Sequence, residues 1–297
     1  MLTPIEINPE TFLREHCALP ALPEVVHEIQ AVIESQQGGL NRVADLISRE
    51  PALLAQVLKV VNSAYYGLPQ EISNVKYAIA FLGLNEIYRM VLSLSVVNTI
   101  AIADRDELSD FWLHSFHTAL CTKYLAKRYE PSLAFEEFWA SAVLHDIGKL
   151  VYLKFFPDHY KALKGYCKAQ GCLFTEAERH FSLPASAYLG TILCDHWRLP
   201  EKIRRACEYH TLSDLTVAEA EHGLKPFDRV ITLGNLCAVI ASNGLHSENR
   251  EVLGETVRKD LGCPREKFLL IMGDILELKI HAERFLDHLN RMSVAKE

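Results

Sequence analysis

The sequence predicts an all-α fold, and three observations support this. Apolar residues recur every three to four positions along nearly the whole chain, as they do on one face of a helix. No segment alternates apolar and polar residues as a strand does, and the Asn-Gly pair at 243–244 follows a predicted helix instead of joining two strands. The 297 residues are 49% hydrophobic and 23% charged, which is typical of a packed globular protein.

Five helices are predicted in the first hundred residues. The first has apolar residues at positions 22, 25, 26, 29, 32 and 33, which form one stripe, and Pro23 suits its first turn. Asn74 and Asn85 have side chains that cap helix N-termini, so each is expected to begin a helix. The predicted helices cover about residues 22–33, 43–50, 53–61, 75–82 and 85–100.

A polar, acidic stretch at residues 103–110 follows, and we predict an internal boundary there. The apolar period remains helical beyond it, with Pro and Gly marking several helix ends. The predicted helices of this part cover about residues 111–129, 136–145, 157–169, 186–196, 200–209, 226–242, 252–261 and 264–289.

Composition and charge narrow the function. Lys plus Arg number 31 and Asp plus Glu number 38, so the net charge is −7 and no overall basic field is present for nucleic acid. No apolar run approaches the roughly 20 residues that span a bilayer, and residues 1–6 lack the basic and apolar regions of a secretory signal. None of the eight cysteines forms a C-x-x-C pair. We therefore expect a cytoplasmic protein with neither a nucleic-acid nor a membrane partner.

The pair His145-Asp146, followed by Gly148 and Lys149, is the strongest local indication of chemistry. A neutral imidazole and a carboxylate are good ligands for a first-row divalent metal ion, and Lys149 could face a phosphate as a point charge. Neighbours on a regular helix point about 100° apart, so both reach one ion best near a helix end or distortion, which Gly148 allows. The alternative is a partly buried His-Asp pair in which Asp146 caps a helix and Gly148 ends one.

Histidines elsewhere in the chain are further candidate ligands. His114 and His117 lie one helical turn apart, with Cys121 a turn further on the same stripe. A helix that presents histidine to a second helix bearing His-Asp is one way in which helical bundles hold metals. The alternative is a pair of amphipathic histidines beside an apolar core. Three more histidines could supply a ligand and are interpreted as surface or helix-end residues: His180, His196 and His210.

Several stretches of the sequence match a known pattern in the right order. They are residues 19–26 (LPALPEVV), 46–53 (LISREPAL), 58–69 (LKVVNSAYYGLP), 73–84 (SNVKYAIAFLGL), 111–115 (FWLHS) and 197–200 (WRLP). Together they resemble the HDOD family, the HD-related output domain of bacterial signalling proteins, and the resemblance covers roughly residues 19–245. His114 and His145-Asp146 resemble the start of the pattern of HD-domain phosphohydrolases, which continues to a distant Asp.

The resemblance implies a metal site with two departures from the pattern. By position, His114, His145 and Asp146 match the first three metal ligands of catalytic HD domains. The fourth, an Asp, falls on Asn235, whose amide offers no anionic oxygen. Relatives of the cyclic-dinucleotide-cleaving HD-GYP type use a further His that falls on Ser186, and no Gly-Tyr-Pro triplet occurs. The implied cofactor is one weakly held divalent ion (Mn, Fe, Ni, Zn or Mg), with no other cofactor expected.

The resemblance also implies an organisation for the chain. It is an N-terminal helical bundle packed on an HD-like helical bundle, with C-terminal helices added. Residues 1–18 are expected to be an N-terminal arm, 19–103 the N-terminal half and 104–245 the HD-like half. Residues 246–297 are expected to close the fold or to mediate association.

The function implied is that of a non-catalytic bacterial signal-transduction module, acting through protein contacts or by sensing a ligand. The alternative is a metal-dependent phosphohydrolase or phosphodiesterase with weak activity. In that case His114, His145 and Asp146 would bind the metal ion and Lys149 would contact a phosphate. The expected partners are a signalling protein, a nucleotide in the ligand-sensing case, and a second copy of the chain in a homodimer.

Overall fold

A computed structural model describes residues 19–35, 39–134, 137–215 and 224–293. Within these ranges the regular structure is helical without strands, so the predicted all-α class is confirmed. The predicted N-terminal arm, residues 1–18, lies outside the described residues. The helices are α1 (Glu24–Ser35), α2 (Gly39–Ser48), α3 (Pro51–Val61), α4 (Val75–Leu82), α5 (Leu84–Ile100), α6 (Arg105–Tyr129), α7 (Phe138–Leu144), α8 (Ile147–Phe155), α9 (Pro157–Gln170), α10 (Phe174–His180), α11 (Ser186–His196), α12 (Glu201–Glu208), α13 (Pro226–Ile240), α14 (Ser247–Asp260) and α15 (Arg265–Ser293).

The chain forms two compact units. We call the one that contains Ile102–Ile280, with Leu19, the central unit. The other contains Pro20–Ala101 and the chain from His281 onward, and we call it the terminal unit. Helix α15 contributes residues to both units, since the division falls within it.

The terminal unit is built around α5, against which α1, α3 and α4 pack. Ile87, Met90 and Leu94 of α5 are fully buried. The Asn74 side chain accepts a hydrogen bond from the Lys76 backbone N–H at 2.8 Å, which confirms the predicted cap of α4. The prediction that Asn85 caps the next helix is wrong. Helix α5 already begins at Leu84, because the chain turns sharply at Gly83, whose φ of +87° favours glycine.

The long helix α6 begins the part of the central unit that carries the candidate site. It starts at Arg105, six residues before the predicted start, because Asp104 caps it. The Asp104 carboxylate accepts hydrogen bonds from the backbone N–H groups of Asp106 and Glu107 at 3.2 and 3.1 Å. Acidic side chains in a first turn also interact favourably with the helix dipole. The acidic stretch interpreted as a break is therefore a cap and a first helical turn.

Two glycines allow the helices of the site to pack closely. An ideal Cβ on Gly234 of α13 would lie 2.1 Å from the Thr122 hydroxyl oxygen of α6. A Cβ on Gly148 of α8 would lie 1.8 Å from the Ser186 carbonyl oxygen of α11. Both distances are far inside van der Waals contact, so a larger residue at either position would push the helices apart. The two glycines therefore let the backbone of α13 pack directly against α6, and the backbone of α8 against α11.

Two short helices of the central unit, α8 and α10, were not predicted. Helix α8 starts directly after the His145-Asp146 pair, and Gly148 lies inside it instead of ending a helix.

Within the described ranges, no helix by itself has the length and apolar character needed to span a membrane. The pair α4 and α5 meets those two criteria together, and it is bent by 117°.

Candidate metal centre

The candidate site is formed where α6 passes the junction of α7 and α8. His114 lies on α6, His145 follows the last residue of α7, and Asp146 precedes the first residue of α8. At Asp146 the backbone leaves the helical region (φ −103°, ψ 14°), which breaks the helical path between the two helices. The predicted helix end is therefore present, and the two neighbouring side chains reach the same place.

His114, His145 and Asp146 form a close group. The His114 Nε2 lies 3.2 Å from Asp146 Oδ2, and the His145 Nε2 lies 3.3 Å from the same oxygen. One ligand atom from each of the three residues falls within 4.8 Å of the others, a spacing at which they could hold a metal ion. His145 and Asp146 are buried, whereas about a quarter of the His114 side chain is exposed. The group is thus reachable from the side of His114.

His210 is a fourth member of the site. It follows α12, and its Nε2 lies 3.2 Å from Asp146 Oδ1, on the carboxylate oxygen that His114 and His145 do not contact. It was interpreted as a surface or helix-end residue; it does lie at a helix end, but it is not on the surface, since it is only 3% exposed. Sequence spacing gave no sign of this, because the packing of α12 against α7, α11 and α13 decides the burial of His210.

The second ring nitrogens of His145 and His210 each lie against a backbone carbonyl oxygen. The His145 Nδ1 lies 2.7 Å from the Ala142 carbonyl oxygen, and the His210 Nδ1 lies 3.1 Å from the Ala206 carbonyl oxygen. A carbonyl oxygen only accepts, so each Nδ1 donates, and in a neutral ring the Nε2 then carries a lone pair. Backbone carbonyls hold metal-binding histidines in this way in known metal sites.

Burial keeps the His145 ring neutral and leaves Asp146 ionised. Burial lowers the pKa of His145 to about 4, despite the favourable effect of the Asp146 carboxylate on the charged ring. Burial alone would raise the pKa of Asp146. The Lys149 ammonium, with Nζ 2.6 Å from Oδ2, opposes this, and the pKa of Asp146 lies well below its usual value. The unprotonated Nε2 of His145 therefore faces the Asp146 carboxylate, an arrangement that a cation between them would stabilise.

The buried polar atoms fit a metal ion. Within the described residues, four buried side-chain atoms of this region have no hydrogen-bond partner: His114 Nε2, His145 Nε2, Asp146 Oδ1 and Asn235 Oδ1. Orphaned buried polar atoms are few in folded proteins and each calls for an explanation. All four are of the type that donates an electron pair to a divalent cation.

Asn235 of α13 packs against this group through His210. Its amide Nδ2 donates a hydrogen bond to the His210 carbonyl oxygen at 2.8 Å. Asn235, His210, Ser186 and Lys149 together line a small cavity of about 50 Å³. The placement of Asn235 at the fourth ligand position stays a prediction.

Ser186 and Glu178 lie behind this cavity. The backbone N–H of Ser186 donates to a Glu178 carboxylate oxygen at 2.7 Å, and both residues are buried. Burial raises the pKa of Glu178, and the hydrogen bonds from Ser186 oppose that rise. Glu178 was not singled out from the sequence, because α10, the helix that carries it, was itself not predicted.

His117 does not take part in the metal group. Its Nε2 donates a hydrogen bond to the Ile275 carbonyl oxygen of α15 at 2.9 Å. Burial lowers the pKa of His117 to about 4, so the ring is neutral. Cys121 is fully buried one turn further along α6. The interpretation of His117 as a histidine beside the apolar core is therefore the correct one.

Comparisons with known proteins agree on the family and fold. The HDOD domain model matches residues 19–212. A curated relative from Treponema pallidum (strain Nichols), an uncharacterized protein, is 25% identical over 218 residues, which are 73% of this chain and 42% of the relative. The chain thus spans less than half the length of that relative.

Three solved structures share the fold. A candidate phosphohydrolase from Shewanella amazonensis SB2B is 20% identical, with a TM-score of 0.69 over 94% of this chain and 98% of that one. A candidate signal transduction protein from Marinobacter aquaeolei VT8 is 19% identical, with a TM-score of 0.68 over 96% and 62%. An HDOD domain protein of unknown function from Geobacter sulfurreducens is 20% identical, with a TM-score of 0.65 over 93% and 96%. The chain belongs to the HDOD domain family.

Proposed function

We propose that the protein is a signal-transduction module in which the HD-type site holds one divalent ion and does not hydrolyse phosphoesters. The donor set around Asp146 carries this proposal. Within the described residues it consists of three imidazoles around one carboxylate, and Asn235, the residue at the predicted fourth position, would add only a neutral amide oxygen. Such a set binds an ion but neutralises only half of a divalent charge.

His114, His145 and Asp146 would hold the ion, with His210 and Asn235 beside them. An imidazole-rich set favours Mn, Fe, Ni or Zn over Mg. When bound, the ion would supply a positive charge that attracts a phosphate oxygen. Lys149 would add a second positive charge at the same place, since its ammonium contacts Asp146 and about a quarter of the Lys149 side chain is exposed.

Hydrolysis needs more than this charge. Water must be positioned and deprotonated, and the leaving oxygen must be neutralised, which two-ion sites do with a second metal. The position at which the HD-GYP resemblance implies a further His is Ser186, whose hydroxyl is neutral. Among the described residues, Asp146 is the one carboxylate in contact with His114, His145 and His210, and the Lys149 ammonium is already paired with it. These features support binding without turnover.

The likeness to a candidate phosphohydrolase does not oppose this, because a fold carries many functions and the site decides among them. One observation favours the alternative of weak hydrolase activity. His210 Nε2 lies 3.2 Å from Asp146 Oδ1, so a third imidazole borders the group, which the family pattern does not supply. The two functions differ in turnover and not in metal binding.

Metal counting on the whole protein tests the proposal. The chain is purified without chelator, loaded with Mn²⁺, dialysed and analysed by plasma mass spectrometry. We expect one ion per chain, and its loss in His114→Ala, whose partly exposed side chain can be removed with little effect on packing. Two tightly held ions per chain, or phosphate release from added phosphomonoesters that His114→Ala abolishes, would contradict the proposal.

We further propose that the module acts in the cytoplasm through a signalling protein partner, and that it forms a homodimer. Size-exclusion chromatography with light scattering tests the last point. A mass of twice 33.6 kDa is expected, and 33.6 kDa would overturn it.

A further inference from the structure

A row of lysines lies on α9, next to the metal group. Lys161, Lys164 and Lys168 are three and four residues apart, so they share one face of the helix. All three line a cavity of about 780 Å³, which His114 and Lys149 also line. The cavity therefore opens directly onto the metal group. Its volume lies in the usual range for small-molecule sites, about 300–1,000 Å³.

The lining of this cavity is basic, although the chain as a whole carries a net charge of −7. Four lysines and two histidines line it, and no acidic residue does so within the described part of the chain. The remaining lining is neutral and includes the Phe174 ring, with the Lys149 ammonium 5.2 Å from its centre. An aromatic ring among positive charges suits an organic anion better than a bare inorganic ion.

The lysines of the row differ in how their charges are used. Lys164 is paired with Glu107 and Asp110 at 3.0 and 3.1 Å. Lys161 and Lys168 are exposed and form no ion pair with any residue that the structure describes. They offer two uncompensated charges.

The basic residues around α12 are different, because each of these three has a carboxylate partner: Lys202 pairs with Glu137, Arg204 with Asp195 and Glu208, and Arg205 with Asp228. The lysine row is therefore the better anion site of the two basic clusters.

The wall opposite the row is fixed in place. Gly171, which ends α9, has a φ of +56°. Its carbonyl oxygen accepts hydrogen bonds from the His246 backbone N–H at 3.1 Å and from the Asn249 side chain at 2.8 Å. These bonds tie the end of α9 to residues 242–246, which line the cavity. A wall held in place by such bonds lowers the entropic cost of binding.

The length of the row sets the size of the ligand. Lys168 lies seven positions after Lys161, which is about 10 Å along a helix at 1.5 Å per residue. The cavity of about 780 Å³ that the row shares with Lys149 and His114 is far larger than one phosphate group. A ligand that uses all of these charges needs two anionic groups with an organic part between them.

We infer that Lys161 and Lys168 form a second anion subsite, and that the cavity binds a nucleotide-sized ligand carrying two separated phosphate groups. One phosphate lies at Lys149 and the metal group, and the other lies on the lysine row. This inference rests on the proposed function, because the metal group forms one end of the same cavity. It goes beyond it by naming the ligand class and the residues that select it.

Titration calorimetry on the Mn²⁺-loaded full-length protein at low salt tests the inference. The probes are adenosine 3′,5′-bisphosphate, adenosine 5′-monophosphate and adenosine. We expect the bisphosphate to bind at least about tenfold more tightly than the monophosphate, and adenosine to show no binding. Lys161→Gln/Lys168→Gln should weaken the bisphosphate to the level of the monophosphate and leave the monophosphate unchanged.

A matched control removes a lysine outside the cavity. Lys259→Gln changes an exposed lysine of α14 that does not line the cavity, and it should bind the bisphosphate as the unchanged protein does. Equal affinities for bisphosphate and monophosphate, equal losses in the double variant and the control, or no binding of either phosphate would each overturn the inference. Hydrolysis of a bound probe would instead contradict the proposed function and leave the lysine subsite standing.

Discussion

The substitution Asn235→Asp should have opposite effects on the metal-free and metal-loaded protein. In the metal-free protein, Asn235 donates a hydrogen bond to the His210 carbonyl oxygen at 2.8 Å, and the Asn235 Oδ1 is buried with no partner that the structure describes. An ionised aspartate has no proton to donate, so the His210 carbonyl would face an anionic oxygen. Losing a buried hydrogen bond and orphaning its partner costs about 1–3 kcal/mol.

Thermal unfolding converts this cost into a measurable shift. For a domain of 150–250 residues, 1 kcal/mol moves Tm by about 2–4 °C, so in EDTA the Tm of the Asn235→Asp variant should fall by roughly 3–10 °C. With saturating Mn²⁺ the new carboxylate becomes an anionic ligand, and the deficit in Tm should shrink or reverse. The Kd for Mn²⁺ should fall by at least about tenfold, equivalent to about 1.4 kcal/mol.

Asn235→Ala is the control for this prediction. It removes the same hydrogen bond without adding a charge, so it should lower Tm in EDTA and should not tighten Mn²⁺ binding. Calorimetric titration of Mn²⁺ into both variants makes the comparison. An unchanged Kd in Asn235→Asp, or the same Kd in both variants, would show that residue 235 does not face the ion.

Two further predictions concern the packing of the site and its pH dependence. Gly148→Ala places a methyl group 1.8 Å from the Ser186 carbonyl oxygen, which should cost about 1–3 kcal/mol or more. Its Tm should therefore drop by at least about 2 °C, whereas Gly273→Ala, where no atom lies within 4 Å, should leave Tm unchanged or raised; equal Tm values would refute this. For His117, the folded pKa of about 4 lies below the unfolded value of 6.5, so the unfolded chain binds the proton first, and the stabilisation present above pH 6.5 is lost as the pH falls towards 4. Urea unfolding in EDTA should show a loss of about 2 kcal/mol from this group between pH 7 and 5. The variant His117→Gln, which keeps a donor for the Ile275 carbonyl, should show a smaller loss, and an identical pH slope would contradict the assignment.

The helices that sequence analysis located best are those with a single apolar stripe or a clear cap. Helix α4 was predicted at its observed bounds, because Asn74 is a cap with an unambiguous side chain. Helix α8 was missed because Ile147, Leu150, Val151 and Tyr152 bury several of its faces, which removes the periodic contrast. The acidic residues at 104–107 are as typical of a loop as of a helix start, and only the hydrogen bonds that Asp104 accepts show that a helix starts there.

The site was predictable in part for a comparable reason. His145 and Asp146 are neighbours in sequence, so their pairing was visible at once. His114 lies 31 residues earlier, and its inclusion came from the family pattern and not from spacing. His210 gave no local signal, because it follows a short helix and reaches Asp146 only through the packing of α12. Long-range packing of this kind is the part that one sequence without its fold does not specify.

The central claim is that the site holds an ion without performing chemistry. A single-turnover assay tests it most directly: the Mn²⁺-loaded protein is mixed, in excess, with bis(4-nitrophenyl) phosphate, and the release of 4-nitrophenolate is followed by absorbance. We expect the unchanged protein to release 4-nitrophenolate at a rate indistinguishable from that of His114→Ala. A faster release by the unchanged protein, lost in His114→Ala, would contradict it.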